Sequence, residues 1–553
     1  MSDGARGRHV LRLGRYGARV EARLEAWARE QIGRRIWEKD FTVWSPVRVP
    51  EIVDRLGWLA LPETMWDEAE SIGALAEEIR TQGISHVVLL GMGGSSLAPE
   101  VFQATFGNAG GYPELIVLDS THPLQILAVG ARIDLRKSLF LVASKSGTTQ
   151  EPMSLFRYFY NRLTGITPDP GSHFVATTDP GTPLESLAKE LEFRHVFRAI
   201  PDVGGRYSAL TAFGLVPAAL IGTDILDLLD RARVVEGACA TSVATPSNLC
   251  LRLAAALGEL ALEGRDKVTF ITSPSLRAFP DWLEQLIAES TGKDGKGIVP
   301  VAGEAPGGIE VYGDDRFFIY IAVEDEVDAG ITGWLDELAA GGHPVAHIKI
   351  SDKGDLSGEM FRWELAVAAA GAALGIHPFN QPDVQIAKDL ARRAMESGTE
   401  AHGDKDAALP VASEQLAGTL EGLLASAAPG DYFAIQAYLA RDTATEQTLQ
   451  RIRHRVRDRT GLATTLGFGP RFLHSTGQLH KGGPAAGIFV QLIDSPCEDI
   501  GIPETPNTFG DLIRAQATGD YQALLERNRR VVRVNLGSDV SRGLDLLEAA
   551  LPL

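Results

Sequence analysis

Four short apolar runs, at 86–90, 115–118, 139–143 and 173–176, recur through the first part of the chain with helical patterns between them. Strands and helices that alternate in this way build a parallel sheet with helices on both faces, because right-handed crossovers return each helix to the sheet. Ligands of such sheets bind beyond the carboxyl ends of the strands. Two loops fall there. The run 139–143 is followed by Ser144-Lys145-Ser146-Gly147-Thr148-Thr149-Gln150-Glu151 and then by a helical pattern. Its hydroxyls can donate hydrogen bonds, Lys145 can supply charge, and the first free N–H groups of the helix point at the same place, a combination suited to a phosphate. The same hydroxyls would also serve as a helix cap. The run 86–90 leads into Gly91-Met92-Gly93-Gly94-Ser95-Ser96, whose glycines let backbone N–H groups approach an anion closely. Gly94, Ser95, Ser144, Lys145, Ser146, Thr148 and Thr149 are therefore candidate anion contacts.

The chain has 553 residues, too many for a single core, so two or three domains are expected. Its 53 Lys and Arg against 72 Asp and Glu give a net charge of −19, which argues against a broad nucleic-acid surface or a polybasic membrane contact. An anionic ligand must then be held by a local cluster of donors. Cys239, Cys250 and Cys497 have neither metal-ligand spacing nor the even count of a disulfide framework, so they read as buried thiols in a reducing compartment. The N-terminus lacks the apolar core of a leader peptide, and no apolar run is long enough to span a bilayer, so a cytoplasmic location is expected.

Residues 17–39 place Ala, Leu, Trp and Ile among Arg and Glu at helical spacing, as in an amphipathic arm, and Trp37, Trp44, Trp58 and Trp66 read as packing anchors. Further strands are expected at 267–271, 317–322, 347–350, 432–438 and 487–492, and 397–406 reads as a loop or linker.

Four more segments carry groups with chemical potential. Gly204-Gly205-Arg206 places an arginine beside two glycines, either as an exposed loop residue or as a fixed charge for an oxyanion. Glu289, in Glu289-Ser290-Thr291-Gly292-Lys293, ends a helical pattern where the helix dipole disfavours negative charge, a setting that suits a general base as well as a plain solvated carboxylate. His377-Pro378-Phe379-Asn380-Gln381-Pro382 opens a helix that bears Lys388, which in isolation would be a surface lysine. Leu473-His474-Ser475-Thr476-Gly477-Gln478 offers a histidine, able to exchange a proton near neutral pH. His474 and His480 lack the carboxylate or cysteine company of a metal site, so no metal is expected.

Together these segments resemble the glucose-6-phosphate isomerase family and its sugar-isomerase (SIS) fold, over roughly residues 50 to 550. The resemblance implies an α/β protein with two SIS-type doubly wound parallel-sheet domains behind a helical N-terminal arm: 1–54 the arm, 55–235 the first SIS domain with the phosphate loops, 236–553 a second with a rearranged C-terminal part. It implies a cofactor-free aldose–ketose isomerase of a sugar phosphate, in which Glu289 moves the proton between C1 and C2, Arg206 stabilises the enediolate, and His474 and Lys388 open the ring. Gln381 would join the loops in holding the phosphate. A homodimer is implied too, since sites of the family borrow a histidine from the partner subunit. Two features depart from the usual pattern: Asn380 stands where an Asp is usual, and the histidine segment follows the lysine segment instead of preceding it. That order looks like the isomerase half of the bifunctional transaldolase/glucose-6-phosphate isomerases, although no N-terminal transaldolase half is expected in these residues. The rival readings are an isomerase that also accepts mannose 6-phosphate, and a sugar-phosphate sensor that binds without reacting.

Overall fold

The computed structural model describes residues 9–397 and 408–552, and its strands form three five-stranded sheets. In chain order the strands are β1 (His9–Arg12), β2 (His86–Gly91), β3 (Glu114–Leu118), β4 (Ser138–Ala143), β5 (Phe174–Thr178), β6 (His195–Arg198), β7 (Lys267–Thr272), β8 (Val299–Val301), β9 (Arg316–Val323), β10 (Val345–Ile350), β11 (Leu409–Pro410), β12 (Tyr432–Tyr438), β13 (Ala463–Phe468), β14 (Gly487–Ile493) and β15 (Arg530–Asn535). The first sheet is parallel throughout, in the order β3-β2-β4-β5-β6. The second runs β1-β10-β9-β7-β8 and is parallel except for β1, which lies antiparallel along β10. The third is parallel in the order β11-β15-β14-β12-β13.

The α/β class and parallel sheets are those expected. The stretch from 236 onward, read from sequence as a single rearranged domain, contains two separate sheets, the second and the third. The third has its own apolar core, which includes Leu420, Phe433, Val456, Ile488 and Leu544. The arm forms the helices Gly17–Arg29 and Ile32–Trp37, broken where Gln31 takes a left-handed conformation (φ 54°). Trp58 is fully buried and stacks on Tyr207 with ring centroids 5.1 Å apart, so this anchor sits directly behind Arg206. Apart from Ser397, which closes a helix, the stretch read as a linker lies outside the described residues.

One expectation is overturned. Cys239 and Cys250 are buried as predicted but are joined in a disulfide, while Cys497 is free and exposed. Counting cysteines misses the pair because an odd third cysteine hides it. The loop between them doubles back, with Asn248 capping the helix Leu249–Leu262 and its amide donating to the Cys239 carbonyl. The pairing removes the cysteine argument for a reducing compartment. Among the described residues no helix is long and apolar enough to cross a membrane.

Two features of the first sheet position the site. From β2 the chain moves outward to β3 and then returns to β4 on the other side, so the order reverses between β2 and β4, where a crevice opens in doubly wound sheets. Gly91 pairs with Ala143 in the register, so the two Ser/Gly loops leave the sheet side by side.

Candidate active site

The loop after β2 makes the turn Gly93–Ser95 before the helix Leu97–Phe106. A Cβ on Gly94 would lie 1.9 Å from the carbonyl oxygen of Gly205, so only glycine lets this loop pack onto the Gly204-Gly205-Arg206 turn. Beside it, Ser144 Oγ donates to Thr149 Oγ1 (3.0 Å), and the hydroxyls of Ser146 and Thr148 lie 3.0 Å apart. Thr149 is the N-cap of the helix Gln150–Thr164 but makes no side-chain capping bond, so its hydroxyl is not used to close the helix. The Lys145 ammonium is bound to the Asp179 carboxylate at 2.7 and 2.8 Å and reaches the Pro201 carbonyl at 3.2 Å. Its charge is therefore shared with a carboxylate, and burial lowers its pKa despite that partner. What remains fully available to an anion here are hydroxyls and backbone N–H groups.

Glu289 comes from the second unit, near the end of the helix Phe279–Thr291. Its carboxylate accepts from Gln285 Nε2 at 3.3 Å, and its Oε2 lies 3.3 Å from Arg206 Nη1. The buried Arg206 guanidinium is held on every nitrogen: Nε donates to Ser290 Oγ (2.9 Å), Nη1 to Gln381 Oε1 (3.0 Å), and Nη2 to the carbonyls of Pro378 (2.7 Å) and Asn380 (3.0 Å). The exposed-loop alternative for Arg206 does not hold.

His474 comes from the third unit, at the end of the short turn Arg471–His474 after β13. Its Nε2 lies 3.0 Å from Glu151 Oε1, at the start of the helix that follows the hydroxyl-rich loop 144–149. Burial pushes the Glu151 carboxyl up, but the charge and hydrogen bond of His474, with smaller help from a backbone N–H and Lys388, bring it down to about 2. The turn is fastened to the first sheet by Arg471, whose Nε lies 3.0 Å from Asp119 Oδ2 just beyond β3, and which also pairs with Glu100. Burial raises the Asp119 carboxyl to about 6 although Arg441 and the Ser96 hydroxyl, 3.0 Å away, oppose it.

Lys388 lies on the helix Pro382–Ser397, which packs on the helix Phe509–Glu526. A Cβ on Gly519 would come within 2.5 Å of the Ala391 nitrogen and 2.7 Å of the Ala387 oxygen, so small residues on both helices permit this approach. Gln478 stitches three segments together, donating to Gly292 O (2.9 Å) and Asp383 Oδ2 (2.8 Å) and accepting from Asp383 N (2.9 Å).

These groups face one cavity of about 370 Å³, a volume suited to a small metabolite. Gly94, Ser95, Ser144, Lys145, Ser146, Thr149, Arg206, Glu289, Gln381, Lys388 and His474 all line it. Thr148 does not; it lines an adjoining cavity that shares Ser146, Thr149, Lys388 and His474 with the first.

The phosphoglucose isomerase family model matches residues 65–313, which include both Ser/Gly loops, Arg206 and Glu289. Glucose-6-phosphate isomerase of Staphylococcus saprophyticus is 31% identical over 402 residues, 63% of this chain and 89% of that protein. The chain belongs to the glucose-6-phosphate isomerase family. Another member, from Rubrobacter xylanophilus, is 28% identical over 394 residues, 62% of this chain and 89% of that protein. Among solved structures, a hypothetical protein from Thermus thermophilus superposes with a TM-score of 0.59 at 25% identity, covering 70% of this chain and 99% of that one. The glucose-6-phosphate isomerase of Chlamydia trachomatis has the same fold, with a TM-score of 0.53 at 20% identity over 67% of this chain and 78% of its own.

In this family member the sequence patterns alone mark no role for Glu151, Gln285, Gln478 or Asp119. Glu151 left one trace, an acidic residue in the first turn of a helix beside a hydroxyl-rich loop, which helix-dipole complementarity alone would explain. Asp119 left another, lying just past an apolar run.

Proposed function

We propose that the chain interconverts glucose 6-phosphate and fructose 6-phosphate. The observation that carries this reading is the convergence of Glu289, Arg206, Lys388 and His474 from separate segments on one cavity whose floor is made by the two hydroxyl- and glycine-rich loops. The loops hold the phosphate, and its binding energy positions the reacting carbons. His474 and Lys388 protonate the ring oxygen and accept the proton of the C1 hydroxyl as the ring opens. Glu289 then removes the C2 proton; that bond pair becomes the C1–C2 double bond while the carbonyl pair moves to O1, giving an enediolate beside the Arg206 charge. Return of the proton to C1 uses the C1–C2 double-bond pair, and passage of the O2 proton to O1 lets the O2–H pair close the C2 carbonyl, completing the ketose. A sensor that only binds would have no use for Glu289 or His474. A coupled assay in both directions on the purified protein tests the reading, and no turnover with either sugar phosphate would refute it.

Ser146→Ala and Thr149→Ala are expected to raise KM about tenfold each while kcat changes little, since a phosphate donor acts equally in ground and transition states. Inorganic phosphate should inhibit competitively. An unchanged KM in both variants would move the phosphate elsewhere.

The order of the lysine and histidine segments supports placing the protein with members similar to the isomerase half of the bifunctional enzymes. A cytoplasmic location fits a glycolytic role, and the family resemblance favours a homodimer. Catalysis in this reading does not depend on that assembly, because His474 reaches Glu151 of its own chain at 3.0 Å. Specific activity should therefore stay constant on dilution through any dimer dissociation followed by sedimentation velocity; a loss of activity in step with dissociation would mean that a partner completes the site.

A further inference from the structure

The helix Phe509–Glu526 of the third unit turns Gln516, 5% exposed, toward the cavity that adjoins the catalytic pocket and shares Lys388 and His474 with it. Gln516 Nε2 donates to Glu151 Oε1 at 2.8 Å, the same oxygen that His474 Nε2 reaches at 3.0 Å. On its other side Gln516 Oε1 accepts from the fully buried hydroxyl of Thr121 at 2.7 Å. The direction of this chain is fixed by chemistry. An ionised carboxylate only accepts, so the amide must present its N–H to Glu151 and its oxygen to Thr121, whose hydroxyl then donates.

We propose that Gln516, backed by Thr121, is a positioning residue for ring opening: it holds Glu151 ionised and in place, which keeps a proton on His474 Nε2 and leaves Nδ1 to exchange with the sugar. The inference rests on the role of His474 proposed above. Two donors on one carboxylate oxygen stabilise its anion more than one does, and a carboxylate that cannot rotate fixes both the tautomer and the plane of the imidazole. Glu151 is held at about 2, against burial, chiefly by His474. The groups that face it are His474 on its turn, Lys388 on the helix Pro382–Ser397 and Tyr438 at the end of β12, while Asp389, Arg392 and Lys481 line the adjoining cavity with it. Lys481 is paired with Asp520 and Arg392 with Asp389, so the competing cation is Lys388, whose charge acts on Glu151. Gln516 lies outside residues 65–313, the part that matches the family model.

The test uses the full-length protein and Gln516→Met, which keeps the volume and removes the amide. Its kcat on the cyclic substrate should fall about tenfold, while KM and the inhibition constant of an open-chain sugar-acid phosphate should stay within about twofold. The split follows from the step affected: only the cyclic substrate needs ring opening, so an open-chain ligand should bind as before. In a His474→Ala background the same substitution should cost nothing further. An equal loss of open-chain inhibitor binding, or an additional loss in the His474→Ala background, would reduce Gln516 to packing. Should Gln516→Met fold poorly, Thr121→Val removes only the rear hydrogen bond and should lower kcat on the cyclic substrate in the same way but by less; a native kcat in that variant would overturn the proposal. The two readings separate cleanly. If His474→Ala retains turnover on the cyclic sugar, the role of His474 falls and this inference with it; if His474→Ala is impaired and Gln516→Met is not, only the inference falls.

Discussion

Glu289→Gln should lower turnover by about 10³-fold while substrate binding is nearly kept. The amide has the shape of the carboxylate, and its oxygen can still accept from Gln285 and sit beside Arg206, which lies 3.3 Å away. What it cannot do is take a proton from carbon. Removing the negative partner of a buried guanidinium is costly when the cation is left alone, but Arg206 keeps Ser290, Gln381 and two carbonyls as acceptors, so the fold should survive. Turnover and the wash-out of tritium from C2-labelled substrate should vanish together, while competitive inhibition by an open-chain sugar-acid phosphate persists. Near-native turnover would eliminate Glu289 as the base. Loss of inhibitor binding along with turnover would instead mean that the substitution had collapsed the pocket, and circular dichroism would show it.

Much of this site was legible before any coordinates because a strand followed by a loop and a helix is a local pattern. The apolar runs predicted β2 and β4, and with them the two loops that meet at the switch point. Legibility ends where partners are remote. Lys145 read as a free charge, but Asp179, 34 residues on, occupies it, and nothing in the wording of the loop announces that partner. Glu151 ends the hydroxyl-rich segment, yet nothing local marks a role for it, since its neighbour His474 lies 323 residues away in a different sheet unit. The strands at 432–438 and 487–492 were expected, but whether they extend the second sheet or found a third depends on hydrogen-bond pairing, which apolar pattern does not encode. The N-terminal strand β1, pairing antiparallel with β10, is too short and too polar to stand out. The reversed order of the lysine and histidine segments has a spatial answer: the helix carrying Lys388 and the third unit carrying His474 pack together through Gly519, so chain order is free to differ.

Arg206→Lys should be the most damaging conservative change in the molecule. Lysine keeps the charge but has three donors in place of five and no planar fork, so it cannot serve Ser290, Gln381 and the carbonyls of Pro378 and Asn380 together. Those groups tie the Gly204-Gly205-Arg206 turn to the end of the Glu289 helix and to the segment leading to Lys388. Leaving buried carbonyls unpaired costs about 1–3 kcal/mol each, enough to lower the melting temperature measurably. The catalytic effect is separable from this loss. With every guanidinium nitrogen already engaged, Arg206 offers the enediolate a fixed positive charge in a water-poor site more than a newly directed hydrogen bond, and a shifted ammonium supplies that charge from the wrong place. A fall in kcat of about 10²-fold or more is expected, measured well below the melting transition, with KM changed far less. A variant with lowered melting temperature but native kcat would leave Arg206 as a structural bolt alone, and the enediolate would then need another counter-charge, for which Arg55, Lys145 and Lys388 line the same cavity.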